Sequence, residues 1–417
     1  MRLPYRAEDP SVRYVVASLI AGVFFGGVGG GVAFPTLPTL GTVLGISSAM
    51  VGLILSANRF TRLLMNTPAG QVLDTVGTRR PMIGGFLLQG LAPFGYALGL
   101  QAGALPVSAA TVFLASRVAW GVGSAFVFVG AFSTVTAVTT EANRGRWVGY
   151  MRGGQSMGFP TGLVLGGVLT DAYGYTAAFL TAGAAGLFAA AVAFAVLPRT
   201  DATVAAASSL RALPGLVAGD VRVFTVGAVN FVVRFLFAGV LLSTVVLYTR
   251  ANGVTLSVLS ATGVSGVVMA VSVGFSSLTT LVVGRVSDGL SNRALLTLPA
   301  LGLLAAGFLL LGLVPTAAGA AVGVALVGVG VGGTNPPLLA YLGDISPADD
   351  LGKLGGAYNT FGDLGSTLGP LVALPLATRL PVTTLYVACG VPVVLVALLV
   401  ALTLFGDRSP DATPTRG

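Results

Sequence analysis

The chain has no histidine and a single cysteine, Cys389, among 417 residues. The first absence removes histidine-based metal sites, a Ser-His-Asp triad and a Cys-His dyad, and the second removes any intrachain disulfide. Charge is scarce as well: 9% of residues are Asp, Glu, Lys or Arg, against roughly 25% in soluble domains. Lys353 is the only lysine. So little polar surface cannot keep a chain that is 54% hydrophobic in water, and lipid is the solvent that suits it. The inventory implies no cofactor and no metal, and it argues against an enzyme.

What is abundant agrees. Mean hydropathy is +0.91, and the 60 glycines fit membrane helices, where small residues let backbones approach closely. A span needs about 20 apolar residues to cross a bilayer core. Apolar runs separated by polar or Gly/Pro breaks predict twelve spans, over 14–37, 47–68, 81–101, 107–136, 147–169, 175–197, 222–248, 256–283, 294–313, 318–341, 353–377 and 382–405. Arg2, Arg6 and Arg13 before the first run resemble a signal peptide. The run is far longer than an h-region and no cleavage site follows, which predicts an uncleaved first span.

The net charge of +8 does not point to nucleic acid, because the arginines sit singly or in pairs between apolar runs. One set of connections carries Arg79, Arg80, Arg144, Arg146, Arg199, Arg211, Arg285, Arg293 and Lys353. The alternate set has Asp171, Arg250 and Arg379 as its main charges. The positive-inside rule then predicts an inner-membrane protein with both termini and the central loop in the cytoplasm.

The chain repeats itself. Gly70, Asp74 and Arg79 recur as Gly284, Asp288 and Arg293 at an offset of 214, and Gly154 and Gly158 recur as Gly365 and Gly369 at 211. This predicts an all-α membrane protein of twelve transmembrane helices in two pseudo-symmetric six-helix bundles. The bundles cover 1–197 and 222–417, with a cytoplasmic loop over 198–221 and a short cytoplasmic tail, and a substrate site at the repeat interface.

These motifs resemble those of the major facilitator superfamily. Gly70-Gln-Val-Leu-Asp74-Thr-Val-Gly77-Thr-Arg79-Arg80 is similar to the family's signature loop, and Gly284 to Arg293 is its echo. Arg117-Val-Ala-Trp-Gly121 resembles the family's pattern in span four. Gly154, Gly158 and Pro160, with Gly365, Gly369 and Pro370, resemble the glycine–proline motif of its antiporters. Phe159 splits the first Gly-Pro pair, and Ala137 stands where the family commonly has an acid, which leaves Glu141 to pair with Arg79. The resemblance implies a secondary transporter working by alternating access, with the signature loop latching the halves on the cytoplasmic side. It implies a small-molecule substrate, and proton-coupled efflux of an amphipathic compound as the leading mode. A symporter importing a metabolite or sugar is the alternative, and a non-transporting sensor on the same scaffold is the reading of another class. The protein is expected to act as a monomer.

Ionisable groups inside spans are the remaining candidates: Arg59 and Arg62 on span two, Arg117 on four, Arg152 on five, Arg234 on seven and Asp363 on eleven. Facing lipid, these six would cost on the order of 15–20 kcal/mol, so they are expected to face a cavity or each other. Arg62 and Asp363 lie at similar depth, roughly 12–15 Å from one membrane face at 1.5 Å per residue. An ion pair across the interface between halves is therefore predicted, with Arg59 as the substitute partner. Arginine does not deprotonate in proteins, which makes Asp363 the candidate carrier of a coupling proton. Five arginines against one acid favour neutral amphipathic or anionic solutes over cations.

Overall fold

The computed structural model describes residues 10–101, 103, 106–198, 219–255, 259–290, 292–345 and 351–405. The expected central loop therefore lies largely outside the described residues, as do both tails and the side chains of Glu141 and Lys353. The first bundle contains α1 (Pro10–Val43), α2 (Ser48–Val76), α3 (Arg79–Gly99), α4 (Ala109–Val138) and α5 (Glu141–Val196). The second contains α6 (Val221–Arg234), a π-helix (Phe235–Leu241) and α7 (Leu242–Ala251), followed by α8 (Ala261–Ser287) and a 3-10 turn (Arg293–Leu296). It is completed by α9 (Thr297–Leu313), α10 (Ala317–Ile345), α11 (Leu351–Ala377), α12 (Val382–Ala388) and α13 (Gly390–Thr403).

The helices form twelve spans. Spans five and six run together as α5 and are broken only at Gly174, whose φ of 82° and ψ of 171° lie in a region essentially confined to glycine. Span seven is α6, the π-helix and α7 in succession, and span twelve is α12 with α13. Among the described residues nine helices are long and apolar enough to cross a membrane. The long α5 is one of those nine, while α2 and α11 are not among them. Both are of spanning length, but they carry the charged and amide side chains (Arg59, Arg62, Asn66, Asp363) that dilute an apolar run.

Small residues set the packing. On α5, Gly154, Gly158, Gly162 and Gly166 recur every four residues and face Ile20, Phe24, Val28 and Val32 of α1, which recur with the same period. A Cβ on Gly154 would sit 2.8 Å from the Ile20 side chain, and one on Gly166 2.7 Å from the Val32 Cα. Gly27 and Gly31 of α1 press back on the backbone of Phe159 and Leu163. Interfaces of this kind replace the hydrophobic drive that lipid cannot supply with van der Waals contact at close range. The second bundle repeats the device: Gly365 of α11 lies on the Phe231 carbonyl, and Gly369 lies on Gly239 in the π-helix.

Among the described residues, the close contacts between the bundles lie on one side. Gly52 of α2 meets Pro370 of α11, where a Cβ would sit 2.6 Å from the carbonyl oxygen, and Gly167 of α5 meets Thr262 and Gly263 of α8. Among the described residues, the hydrogen bonds and the ion pair joining the bundles run from Asp171 and Ser260, at the arginine-poor ends of their helices, to Arg62 and Asp363 at mid-span.

Candidate functional site

At mid-span α2 and α11 exchange two polar contacts. The Ser56 hydroxyl donates to the Thr367 carbonyl oxygen at 2.5 Å, and Arg62 Nη2 donates to Asp363 Oδ1 at 2.5 Å. The ion pair is partly accessible, with side chains 19% and 16% exposed, and the Arg62 guanidinium lies 5.7 Å from the centroid of the Phe128 ring on α4. Thr367 donates its own hydroxyl to the Asp363 carbonyl, one helical turn back.

Arg59 lies one turn from Arg62 on α2, within Coulombic reach of Arg62, Asp363, Arg234 and Arg117. Arg234, the last residue of α6, packs its Cγ near Gly362, where a Cβ would sit 3.3 Å from it. The same Gly362 faces Asn230, which donates Nδ2 to the Tyr358 carbonyl at 2.7 Å, while Tyr358 donates its hydroxyl to Asn335 Oδ1 at 2.7 Å. The π-helix begins directly after Arg234; such single-turn distortions frequently occur at functional sites.

The other two intramembrane arginines are placed differently. Arg117 is 1% exposed and makes three hydrogen bonds to α2. Its Nε donates to the Ile54 carbonyl at 3.2 Å, and its Nη2 donates to the Leu55 carbonyl at 3.2 Å and to Asn58 Oδ1 at 2.9 Å. It pins α4 to α2, close to where Gly121 touches Asn58. Arg152 is exposed and makes no hydrogen bond or ion pair among the described residues. Although it occupies the position in the repeat equivalent to Asp363, the two are not brought together.

The signature-loop residues lie at the arginine-rich end. Gly70 is buried, and Gly77 ends α2 with φ 76° and ψ 170°, again a conformation that a Cβ disfavours. Arg79 Nη2 donates to the Phe194 carbonyl at 2.7 Å, one of the last carbonyls of α5 that no intrahelical N–H satisfies, with its guanidinium 5.8 Å from the Phe194 ring. Arg79 thus has a helix terminus as its partner in the first bundle. In the second bundle Arg293 Nε pairs with Asp344 Oδ2 at 3.4 Å. Asp74, Arg80 and Asp288 are exposed, and Gly284 is half-buried near Pro336.

A family model described as the Major Facilitator Superfamily matches residues 19–370 and 261–417. The chain belongs to the major facilitator superfamily. This is a family of multi-pass membrane transporters rather than enzymes. Multidrug resistance protein 2 of Bacillus subtilis (strain 168) is 26% identical over 179 residues, 43% of this chain and 42% of that protein. Quinolone resistance protein NorA of Staphylococcus aureus (strain MRSA252) is 25% identical over 162 residues, 39% of each chain. The chain thus spans about two fifths of the length of the curated relatives it matches. A bacterial homolog of the human lysosomal transporter Spinster, in an inward-facing and occupied conformation, superposes with a TM-score of 0.77 at 16% identity, covering 97% of this chain and 100% of that one. The human organic anion transporter MFSD10 (TETRAN) superposes with a TM-score of 0.62 at 20% identity, covering 94% and 100%. At these identities the likeness is one of fold, and in this chain the major facilitator fold comprises two six-helix bundles.

Asp171 stands out as a residue that sequence reasoning passed over. It ends the first half of α5, and its carboxylate reaches the other bundle: Oδ2 accepts from Ser260 N at 2.7 Å and Gly263 N at 3.1 Å, and Oδ1 accepts from Ser260 Oγ at 2.5 Å. Those donors are the N-terminus of α8. In the sequence Asp171 was only one of the few charges on the arginine-poor side. Its partner is a helix end 89 residues away, and no repeat or motif marks that pairing.

Proposed function

We propose that the chain is a secondary active transporter of the plasma membrane that moves a small amphipathic solute by alternating access, with proton-coupled efflux as its mode. The observation that carries this reading is the interface just described. Bundles joined at the arginine-poor ends and down to the Arg62–Asp363 pair, but not beyond it among the described residues, have the form of a gate closed on one side of a mid-span site. By the positive-inside rule the closed side is extracellular and the arginine-rich side cytoplasmic. The signature loop, with Asp74, Arg79 and Arg80, then serves as the opposite latch, engaged when the cytoplasmic side closes. In this reading the units are residues 1–197 and 222–417, joined through the cytoplasmic loop 198–221, and a single chain carries the whole cycle. The names of the drug-resistance relatives support efflux. Asp363 carries the proton, because it is the only carboxylate at mid-span among the described residues and the arginines stay charged.

The test is transport by the reconstituted protein in liposomes holding a pH-sensitive dye, with a pH gradient imposed and neutral, anionic and cationic amphiphiles added. Collapse of the gradient in the antiport sense, only with protein present, supports the reading; Asp363→Asn should abolish the proton signal and leave solute exchange. Proton movement together with solute would instead establish symport. Phe159 favours that second reading, since it interrupts the antiporter-like Gly158-Pro160 motif and packs against Phe34 of α1, with ring centroids 5.6 Å apart.

A further inference from the structure

The middle of the interface holds more positive charge than its carboxylates balance. Asp363 is matched by Arg62, and no other described acid lies at that depth. Arg59 and Arg234 make no hydrogen bond or ion pair among the described residues, whereas Arg117 donates to three acceptors. The side chains of Arg59 and Arg234 are both half-buried, and Arg59 sits among the positive charges of Arg62, Arg234 and Arg117, which Asp363 alone offsets. A half-buried guanidinium at mid-span with no partner faces either the interface between the bundles or lipid, and lipid costs roughly 2.5–3.5 kcal/mol. That cost places the polar ends of Arg59 and Arg234 toward the cleft between the bundles.

We propose that this cleft is a binding site for an organic anion: a carboxylate or sulfonate held by Arg59 and Arg234, with an apolar body against the neighbouring aromatic rings. Guanidinium groups are suited to planar, multidentate recognition of such oxyanions. The aromatic wall is at hand: Phe128, 41% exposed, lies under Arg62, and Phe231 and Phe235 of span seven stack with centroids 6.0 Å apart. A cation entering the same space meets two unneutralised positive charges, and a neutral solute forgoes the charge-assisted hydrogen bonds. The proposal rests on the transport reading for its physiological role, but on the side-chain geometry alone for its location.

Binding separates the two. The full chain in nanodiscs of zwitterionic lipid is titrated with naphthalene-2-sulfonate, with 2-naphthalenemethanol and with the cation 2-naphthylmethylammonium, which share one ring system. The sulfonate should bind at least tenfold more tightly than either analogue. Arg59→Gln and Arg234→Gln should each weaken the sulfonate about tenfold or more while leaving the alcohol within twofold, and Arg59→Lys should keep the order anion over neutral over cation. The alcohol series and the Lys variant show whether the Gln proteins remain folded. Equal or tighter binding of the cation, no sulfonate binding, or sulfonate binding indifferent to both Gln substitutions overturns the proposal. So does stoichiometric displacement of the sulfonate by added phosphatidylglycerol, which would make the ligand a lipid headgroup. Transport of a cation but not the sulfonate would refute the anion site and leave the transporter standing; sulfonate binding without transport of anything would do the reverse.

Discussion

Removing the Asp171 carboxylate should open the arginine-poor end of the interface. Asp171 gives the N-terminus of α8 a second cap: Ser260 is the N-cap residue, its Oγ accepting from Thr262 N at 3.2 Å, and Asp171 adds bonds to Ser260 N, Ser260 Oγ and Gly263 N. Loss of an N-cap acceptor costs about 0.5–2 kcal/mol, and a negative charge at a helix N-terminus contributes about 0.3–1 kcal/mol more. Because cap and helix belong to different bundles, the loss acts on their separation. About 1–2 kcal/mol corresponds to a roughly 5–30-fold shift in the ratio of open to closed ends. Spin labels at Tyr173→Cys and Thr255→Cys, both exposed, in a Cys389→Ala background, would report that ratio as a long-distance population in pulsed electron resonance. Asp171→Ala should raise it by that factor. Asp171→Asn should fall between, since asparagine caps about as well but carries no charge. An unchanged distance distribution in both variants would refute the assignment of closing energy to this contact.

Three further outcomes follow from the geometry. Arg62→Asp and Asp363→Arg should each reduce transport at least tenfold, and the double exchange should restore a substantial part; failure of the exchange to rescue would reduce the 2.5 Å pair to a local contact. Gly158→Ala should lower thermal stability by about 1–3 kcal/mol, the usual cost of overpacking, because its Cβ collides with the Phe24 carbonyl, whereas Gly153→Ala meets open space and should be neutral; equal melting temperatures would refute the packing argument. Asp220 caps α6 and is held below the usual carboxylate range by hydrogen bonds from the Arg222 side chain. A depressed folded value means its contribution is present above the unfolded value of about 4 and is lost as pH falls through the lower folded value. It stays within the 0–1 kcal/mol of exposed pairs, so Asp220→Asn should lower the melting temperature slightly at pH 6 and by less at pH 3; a loss of equal size at both would refute it.

The twelve spans were legible because a bilayer demands long apolar runs, and the exceptions had a cause that could also be read: α2 and α11 fall short in apolar character through the same residues that form the mid-span cluster. The depth argument placed Arg62 and Asp363 at one level on facing spans, and the structure brings them to 2.5 Å. The fate of Arg117 was not legible in the same way. Composition counts an arginine as unpaired until backbone carbonyls are known to surround it, and here three neutral oxygens of α2 accept from it. Arg79 has a bond of the same kind. The missing family acid suggested Glu141 as partner, whose side chain lies outside the described residues, and the bond described goes to the Phe194 carbonyl at the end of α5. Helix termini bind charges, but sequence does not say which terminus comes near.

The two bundles repeat one packing scheme with opposite chemistry at its centre. Gly154 and Gly158 press on span one as Gly365 and Gly369 press on span seven, so duplication fixed where those helices cross. Six residues before the second glycine of each pair, one bundle carries exposed Arg152 and the other Asp363, which pairs with Arg62. With an acid on only one side, a single ion pair joins the bundles among the described residues. The duplication thus explains the scaffold, and the departure from it at positions 152 and 363 leaves one acid, on α11 alone, to pair with Arg62 across the interface.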